Sequence, residues 1–165
     1  MPIQQSTKQL TSPLLLCDEM LARLCRWLRA AGYDCAMLPP GSPDRDIIQL
    51  AGKEARLILT RDRQFMNYHS VTGSVLLLKD QELDDQARAL SLTLGIDWMY
   101  RPFTRCLVCN TPLIMAGQTQ RQALKVHLRD DEPIWLCPDC RRCYWQGGHV
   151  QRMSRRLKEW KNKFS

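Results

Sequence analysis

Four short apolar runs punctuate the first part of the chain, and the segments between them constrain the fold more than any other feature. The runs are residues 14–17 (Leu-Leu-Leu-Cys), 33–38, 57–60 (Leu-Ile-Leu-Thr) and 75–78 (Val-Leu-Leu-Leu). Runs this short and apolar read as buried strands. Between the first two, Leu21, Leu24, Cys25, Leu28 and Ala31 recur at three- and four-residue spacing, the stripe of an amphipathic helix over residues 19–31. Gly32 ends it as a left-handed residue would. After the loop at residues 39–43 (Pro-Pro-Gly-Ser-Pro), a second helix carries Ile47, Ile48, Leu50 and Ala51, and a third spans residues 83–94 before Gly95. Strand and helix alternate through short links, which predicts a mostly parallel sheet with helices on its faces.

In such a sheet, ligands and chemistry collect where the strands end. Asp18 follows the first run directly, Asp62 follows the third after Arg61, and Asp80 follows the fourth after Lys79. Asp44 comes after the second run and its loop. Its plain role is the N-cap of the second helix; its sharper role is another acid at the same edge, for which Asp46 competes. Acids gathered at one edge repel one another unless a cation lies among them, and hard oxygen ligands suit Mg²⁺ or Mn²⁺. Asp18 and Asp62 are the foremost candidates, with Asp44 beside them; Asp80 and Glu82 are secondary. Arg23, Arg26 and Arg29 fall on the helix face away from the apolar stripe, with Trp27 on its flank. They form either a solvated face or a phosphate-contacting ridge.

The chain of 165 residues holds one ordinary domain, or a small domain with a further module. No apolar run is long enough to span a membrane, so no membrane partner is expected. The polar start, residues 1–12, lacks the apolar centre of a secretory signal and reads as a partly disordered, cytoplasmic lead-in. A net charge of +7 favours an anionic partner, of which nucleic acid is the commonest soluble one.

Eight cysteines are present, and four fall in two C-x-x-C pairs, Cys106 with Cys109 and Cys137 with Cys140. Each pair can wrap a metal in a tight turn, and four thiolates suit tetrahedral Zn²⁺ in a closed, structural site. His149 is not needed as a ligand. Cys17 and Cys25 sit in apolar patterns and read as buried thiols. Residues 112–115 and 134–136 read as short strands of a hairpin, and the polar stretch 118–131 as a loop or frayed hairpin. Arg141, Arg142, Tyr144 and Trp145, followed by Gly147 and Gly148, form either a nucleic-acid contact surface or packing over the metal site. Residues 153–164 form a basic amphipathic helix with Met153, Leu157, Trp160 and Phe164 on its apolar stripe. It docks on the metal-binding module, binds phosphates, or does both.

The run DEMLARLCRWLRAAGYD at residues 18–34, Asp44 before a helix, LILTRD at 57–62, CLVCN at 106–110, CPDC at 137–140 and CYWQGGH at 143–149 together resemble the Mut7-C RNase domain family. That family is described as a PIN-like nuclease domain fused to a zinc ribbon. The resemblance covers residues 14–153 and implies an α/β PIN-like parallel sheet over residues 13–98, a zinc ribbon over 99–150 and a basic helix over 151–165. It implies metal-dependent RNA cleavage with Asp18, Asp44 and Asp62 at the acidic positions, and Zn²⁺ on Cys106, Cys109, Cys137 and Cys140. The expected function is therefore a metal-dependent, endonucleolytic ribonuclease, with Arg23, Arg26 and Arg61 gripping phosphates of the RNA. The alternative is a non-catalytic RNA- or ribosome-binding protein whose acids are structural.

Overall fold

The structure is a computed structural model that describes residues 12–68, 74–124, 127–129 and 131–164. The lead-in read at residues 1–12 thus lies almost wholly outside the described residues.

Four parallel strands form the larger sheet: β1 (Leu15–Cys17), β2 (Cys35–Ala36), β3 (Leu57–Thr60) and β4 (Val75–Leu77), in the order β2-β1-β3-β4. Three helices accompany them: α1 (Ala22–Ala31), α2 (Asp44–Glu54) and α3 (Leu83–Leu94). The alternation predicted from the apolar runs is present. The single helix expected over residues 19–31 is instead a 3₁₀ turn (Glu19–Leu21) leading into α1.

Period-two alternation in the strands sorts the side chains between two cores. Leu15, Cys17 and Leu59 point to a core shared with α1 and α3. Leu16 and Ile58 point to the opposite face, where Ile47 and Ala51 of α2 and Phe65 cover them. The sheet is therefore flanked on both faces. The chain runs from β1 to β2 on one side, then crosses back to β3 on the other side of β1. Adjacent strands β1 and β3 thus leave the sheet in opposite directions, which opens a crevice at their C-terminal ends.

Gly32 closes α1 with φ +98°, and its missing side chain lets another part of the chain approach. A Cβ there would overlap the Arg101 backbone, whose N–H donates to the Ala31 carbonyl (2.9 Å). Phe103 N–H donates likewise to Ala30 (2.8 Å). The end of α1 so holds the segment that carries the first cysteine pair.

That segment leads into a three-stranded antiparallel sheet, β5 (Ile114–Met115), β6 (Trp135–Leu136) and β7 (Cys143–Tyr144). Residues 118–123, read as loop, form a short helix, α4 (Gln118–Ala123), with no buried residue; it offers no apolar stripe for periodicity to detect. The final helix, α5 (Gly148–Phe164), begins five residues before the expected start and includes His149. Its stripe of Met153, Leu157 and Trp160 enters the main core against α1 and α3. Trp160 packs edge-on against both Trp27 (5.0 Å between ring centres) and Trp98 (4.8 Å). Its indole N–H donates to Asp84 (2.8 Å), while Lys161 pairs with Asp97 (2.7 Å). In both acids burial works to raise the pKa, but hydrogen bonds and charges from α5, joined at Asp97 by the Met99 N–H, outweigh it and hold each carboxyl below the usual range.

Candidate active site and cysteine cluster

The crevice between the ends of β1 and β3 holds a cavity of about 100 Å³. Asp18, Glu19, Asp44 and Asp62 all line it, together with Phe65 and the loop before α2. Asp18 is the residue after β1 and is 5% exposed. Its extended backbone caps the 3₁₀ turn, and Oδ1 accepts the Leu21 N–H (3.2 Å). Oδ2 accepts the hydroxyl of Thr60, the last residue of β3. The Thr60 oxygen in turn accepts the Asp62 N–H (2.9 Å), and Asp62 caps the next turn through the Gln64 N–H (2.8 Å). A single buried hydroxyl therefore ties Asp18 to the backbone of Asp62.

Two residues of this arrangement escaped the sequence reading. Thr60 is the only polar residue of its run and sits directly before Arg61-Asp62, a signal that a strand-end hydroxyl faces the same edge as the acids. Glu19 accepts the Gly41 N–H (2.7 Å) and so fixes the loop that brings Asp44 to the cavity.

Asp44 is not the N-cap of α2. Pro43 holds that position without a side-chain capping bond, and Asp44 is the first helical residue, half-buried. It lines the cavity, whereas Asp46 is exposed and pairs with Arg45 (3.5 Å). Among the described residues, three or more metal-ligating atoms come within 4.8 Å of one another at two places, both of them thiol clusters: first Cys17, Cys25 and Cys35, and second Cys106, Cys109, Cys137 and Cys140. The acids therefore surround a common space more widely than one set of direct ligands would require.

The arginines separate. Arg23 and Arg26 are exposed on α1, and Arg26 approaches His149 of α5 (3.0 Å). Arg61 is half-buried, and its Nε makes no hydrogen bond among the described residues. Arg29, expected on the open face, is 4% exposed. Its guanidinium donates to the carbonyls of Cys35 (2.8 Å), Leu107 (3.3 Å) and Val108 (2.6 Å). Leu107 and Val108 lie between the first two cysteines of the second cluster, so Arg29 clamps that turn to α1. Asp34 adds to the same junction, accepting Arg56 (2.7 Å) and Asn110 (2.8 Å) and pairing with Arg105 (3.2 Å). Burial tends to raise the Asp34 pKa, but these partners hold it below the usual carboxylate range.

The two C-x-x-C turns share one backbone design. Asn110 and Arg141, each four residues after the first cysteine of its pair, adopt positive φ (72° and 61°). Each donates its N–H to the carbonyl of that first cysteine (both 3.0 Å). The turns bring the Sγ atoms of Cys106, Cys109, Cys137 and Cys140 within 4.8 Å of one another, with cross-pair separations of 3.5 and 3.3 Å. Tetrahedral zinc with Zn–S bonds near 2.3 Å needs sulfurs about 3.8 Å apart, so the donor set fits that ion. Burial raises Cys140 to about 12, while Cys109 is brought down to about 6: burial opposes this, and hydrogen bonds led by those from Thr111 outweigh it.

A sequence profile described as the Mut7-C RNAse domain matches residues 13–157. The chain belongs to the Mut7-C RNase domain family. A human protein described as an exonuclease mut-7 homolog is 31% identical to this Mut7-C domain over 100 residues. That stretch is 58% of the chain but 11% of the human protein, so this chain corresponds to a small part of that relative. No solved structure matches it. Among the described residues, no helix of this family member is long and apolar enough to cross a membrane.

Proposed function

We propose that this Mut7-C domain is a metal-dependent endoribonuclease, built as a PIN-like α/β domain over residues 13–98 with a zinc ribbon over 99–150 and the basic helix behind it. The observation that carries the reading is the convergence of Asp18, Asp44, Asp62 and Glu19 on one small cavity at the β1/β3 crevice. An all-oxygen donor set suits Mg²⁺ or Mn²⁺, and the spacing of the acids suits an ion that keeps several waters, as Mg²⁺ does. Such an ion would supply an activated water and charge stabilisation for phosphodiester hydrolysis. The chain's own contribution is positioning. Thr60 and the Leu21 N–H orient the Asp18 carboxylate, the Thr60 oxygen fixes the start of the Asp62 turn, and Glu19 holds the Asp44 loop in place. Arg23, Arg26 and Arg61 would meet RNA phosphates. The four thiolates would hold a structural Zn²⁺, and the compartment would be the cytoplasm, where free thiols persist.

A second reading, a non-catalytic RNA- or ribosome-binding protein, draws support from the fact that both Asp18 oxygens already accept hydrogen bonds. Cleavage of a labelled RNA in Mn²⁺ separates the two. We expect the wild type to cut internally and the Asp18→Asn/Asp62→Asn variant to bind RNA without cutting it. Equal cutting by that variant would refute the acidic site; no cutting by the wild type in any divalent ion would favour the binding role.

A further inference from the structure

The first turns of α5 divide two surfaces of opposite chemistry. On one side, Val150 and Ser154, four residues apart, border a cavity of about 260 Å³ walled by Phe103, Trp135, Tyr144 and Trp145. On the other side, His149, Arg152, Arg155, Arg156 and the acid Glu159 line an open groove of about 340 Å³ that reaches Trp27 of α1; Arg156 is paired with Asp84 (2.5 Å), which leaves Arg152 and Arg155 as its open cations among the described residues. Arg26 of α1 meets His149 at the edge of that groove.

The aromatic cavity is shaped rather than incidental. Trp135 is 38% exposed although it sits in the central strand of its sheet, in register with Tyr144 on one side and Met115 on the other. The Tyr144 hydroxyl accepts the Leu107 N–H (3.2 Å) and contacts the Cys106 sulfur (3.1 Å), so this wall is pinned to the cysteine cluster. Gly147 permits the placement of Trp145, because a Cβ there would lie 2.8 Å from the indole nitrogen. The volume falls below the ~300–1,000 Å³ of a pocket for a drug-sized ligand, and suits one flat ring system. Aromatic walls on one side of α5 and a cationic groove on the other match a nucleotide strand that crosses the start of that helix: the base stacks, and the phosphates past the crossing follow the arginines.

We propose that this part of the molecule binds single-stranded RNA, with one unpaired base in the Trp135/Trp145 cavity and phosphates further along the strand on Arg152 and Arg155. A base held in a duplex cannot enter the cavity, so the substrate class is unpaired RNA. The strand continues to the acidic cavity along α1, where Arg26 and Arg23 lie one turn apart on the exposed side and Glu19 and Met20 border that cavity. At 1.5 Å per residue, the path from Arg26 to Met20 spans about 9 Å, one to two nucleotides. The inference rests on the ribonuclease reading for its substrate and is tested by binding alone.

The experiment uses the full chain with Asp18→Asn/Asp62→Asn, so that RNA stays intact, and a fluorescein-labelled unstructured RNA of twelve or so nucleotides followed by anisotropy. Trp135→Ala should weaken binding about 5- to 100-fold with the salt slope unchanged, and Trp135→Phe should restore most of it. Arg152→Ala and Arg155→Ala should each lower the salt slope by about one. Circular dichroism on Trp135→Ala, together with its zinc content, distinguishes loss of a stacking wall from loss of fold; Gly147→Ala, which displaces Trp145, provides a second perturbation of the cavity. Equal affinity for a matched RNA duplex, or unchanged affinity in folded Trp135→Ala and Gly147→Ala, overturns the base cavity. Tight, tryptophan-dependent binding, with no cutting in Mn²⁺ by the chain that keeps Asp18 and Asp62, would leave this inference standing and remove the nuclease reading. Cutting by that chain that is unaffected by Trp135→Ala would do the reverse.

Discussion

Replacing Thr60 with valine tests the link between the two strand-end acids. Thr60 is fully buried, and its hydroxyl donates to Asp18 Oδ2 while accepting the Asp62 N–H. Valine keeps the shape but satisfies neither partner. A hydrogen bond to a charged group contributes about 1.5–3 kcal/mol, and a neutral one about 0.5–1.5 kcal/mol. The expected loss is therefore about 2–4.5 kcal/mol in urea unfolding. Thr60→Ser keeps the hydroxyl and removes one methyl group, which costs about 1 kcal/mol. The order of stability should be wild type, then serine, then valine. Because a purely structural hydroxyl could give that order, the decisive readout is the Mn²⁺ concentration at half-maximal RNA cleavage. It should rise several-fold in Thr60→Val and return near the wild-type value in Thr60→Ser. A valine variant as stable as the wild type, or one with an unchanged Mn²⁺ requirement, would refute the role given to Thr60.

Other consequences follow from the junction between the parallel sheet and the cysteine-bearing segment. Gly32→Ala forces a side chain into a left-handed residue and against the Arg101 backbone, and should cost at least about 1–3 kcal/mol in chemical unfolding. Asp34 has a depressed pKa in the fold, so its contribution is present above the unfolded value of about 3.9 and is lost as pH falls through the lower folded value. Asp34→Asn should therefore lower the melting temperature at pH 7, and its gap from the wild type should close below pH 4. Cys137→Ser should leave the purified chain without its equivalent of zinc by metal analysis; because Tyr144 contacts Cys106, the change should also alter tryptophan fluorescence around the aromatic cavity. Trp160→Ala removes a ring wedged between Trp27 and Trp98, at a cost of about 3–5 kcal/mol by urea unfolding.

The alternation of strands and helices was legible because each apolar run is short, α1 and α2 carry apolar stripes, and α1 and α3 end at Gly32 and Gly95; the end of α2 at Ala55, a left-handed residue that is not glycine, carries no such mark. The strand order was not, since no residue within β2 states on which side of β1 it pairs. Asp18 and Asp62 were legible as strand-end acids, but Thr60 could be understood only once β1 and β3 were neighbours. Arg29 misled because its partners are backbone carbonyls, two of them more than seventy residues away, and carbonyls leave no mark in a sequence. The stripe of α5 announced a buried face without naming the surface that buries it. The acid at position 44 was readable; that Pro43 would take the N-cap position and leave Asp44 in the first turn, lining the cavity, was not.

On the proposed nuclease reading, the cavity between β1 and β3 holds a divalent cation. Titrating Mn²⁺ into the zinc-loaded chain, with free Mn²⁺ followed by electron paramagnetic resonance, tests it without depending on a substrate. Saturable binding of one or two ions, lost in Asp18→Asn/Asp62→Asn while zinc and fold are retained, is the expected result. No saturable binding by the wild type, or the same binding in the double variant, would contradict a metal site at these acids.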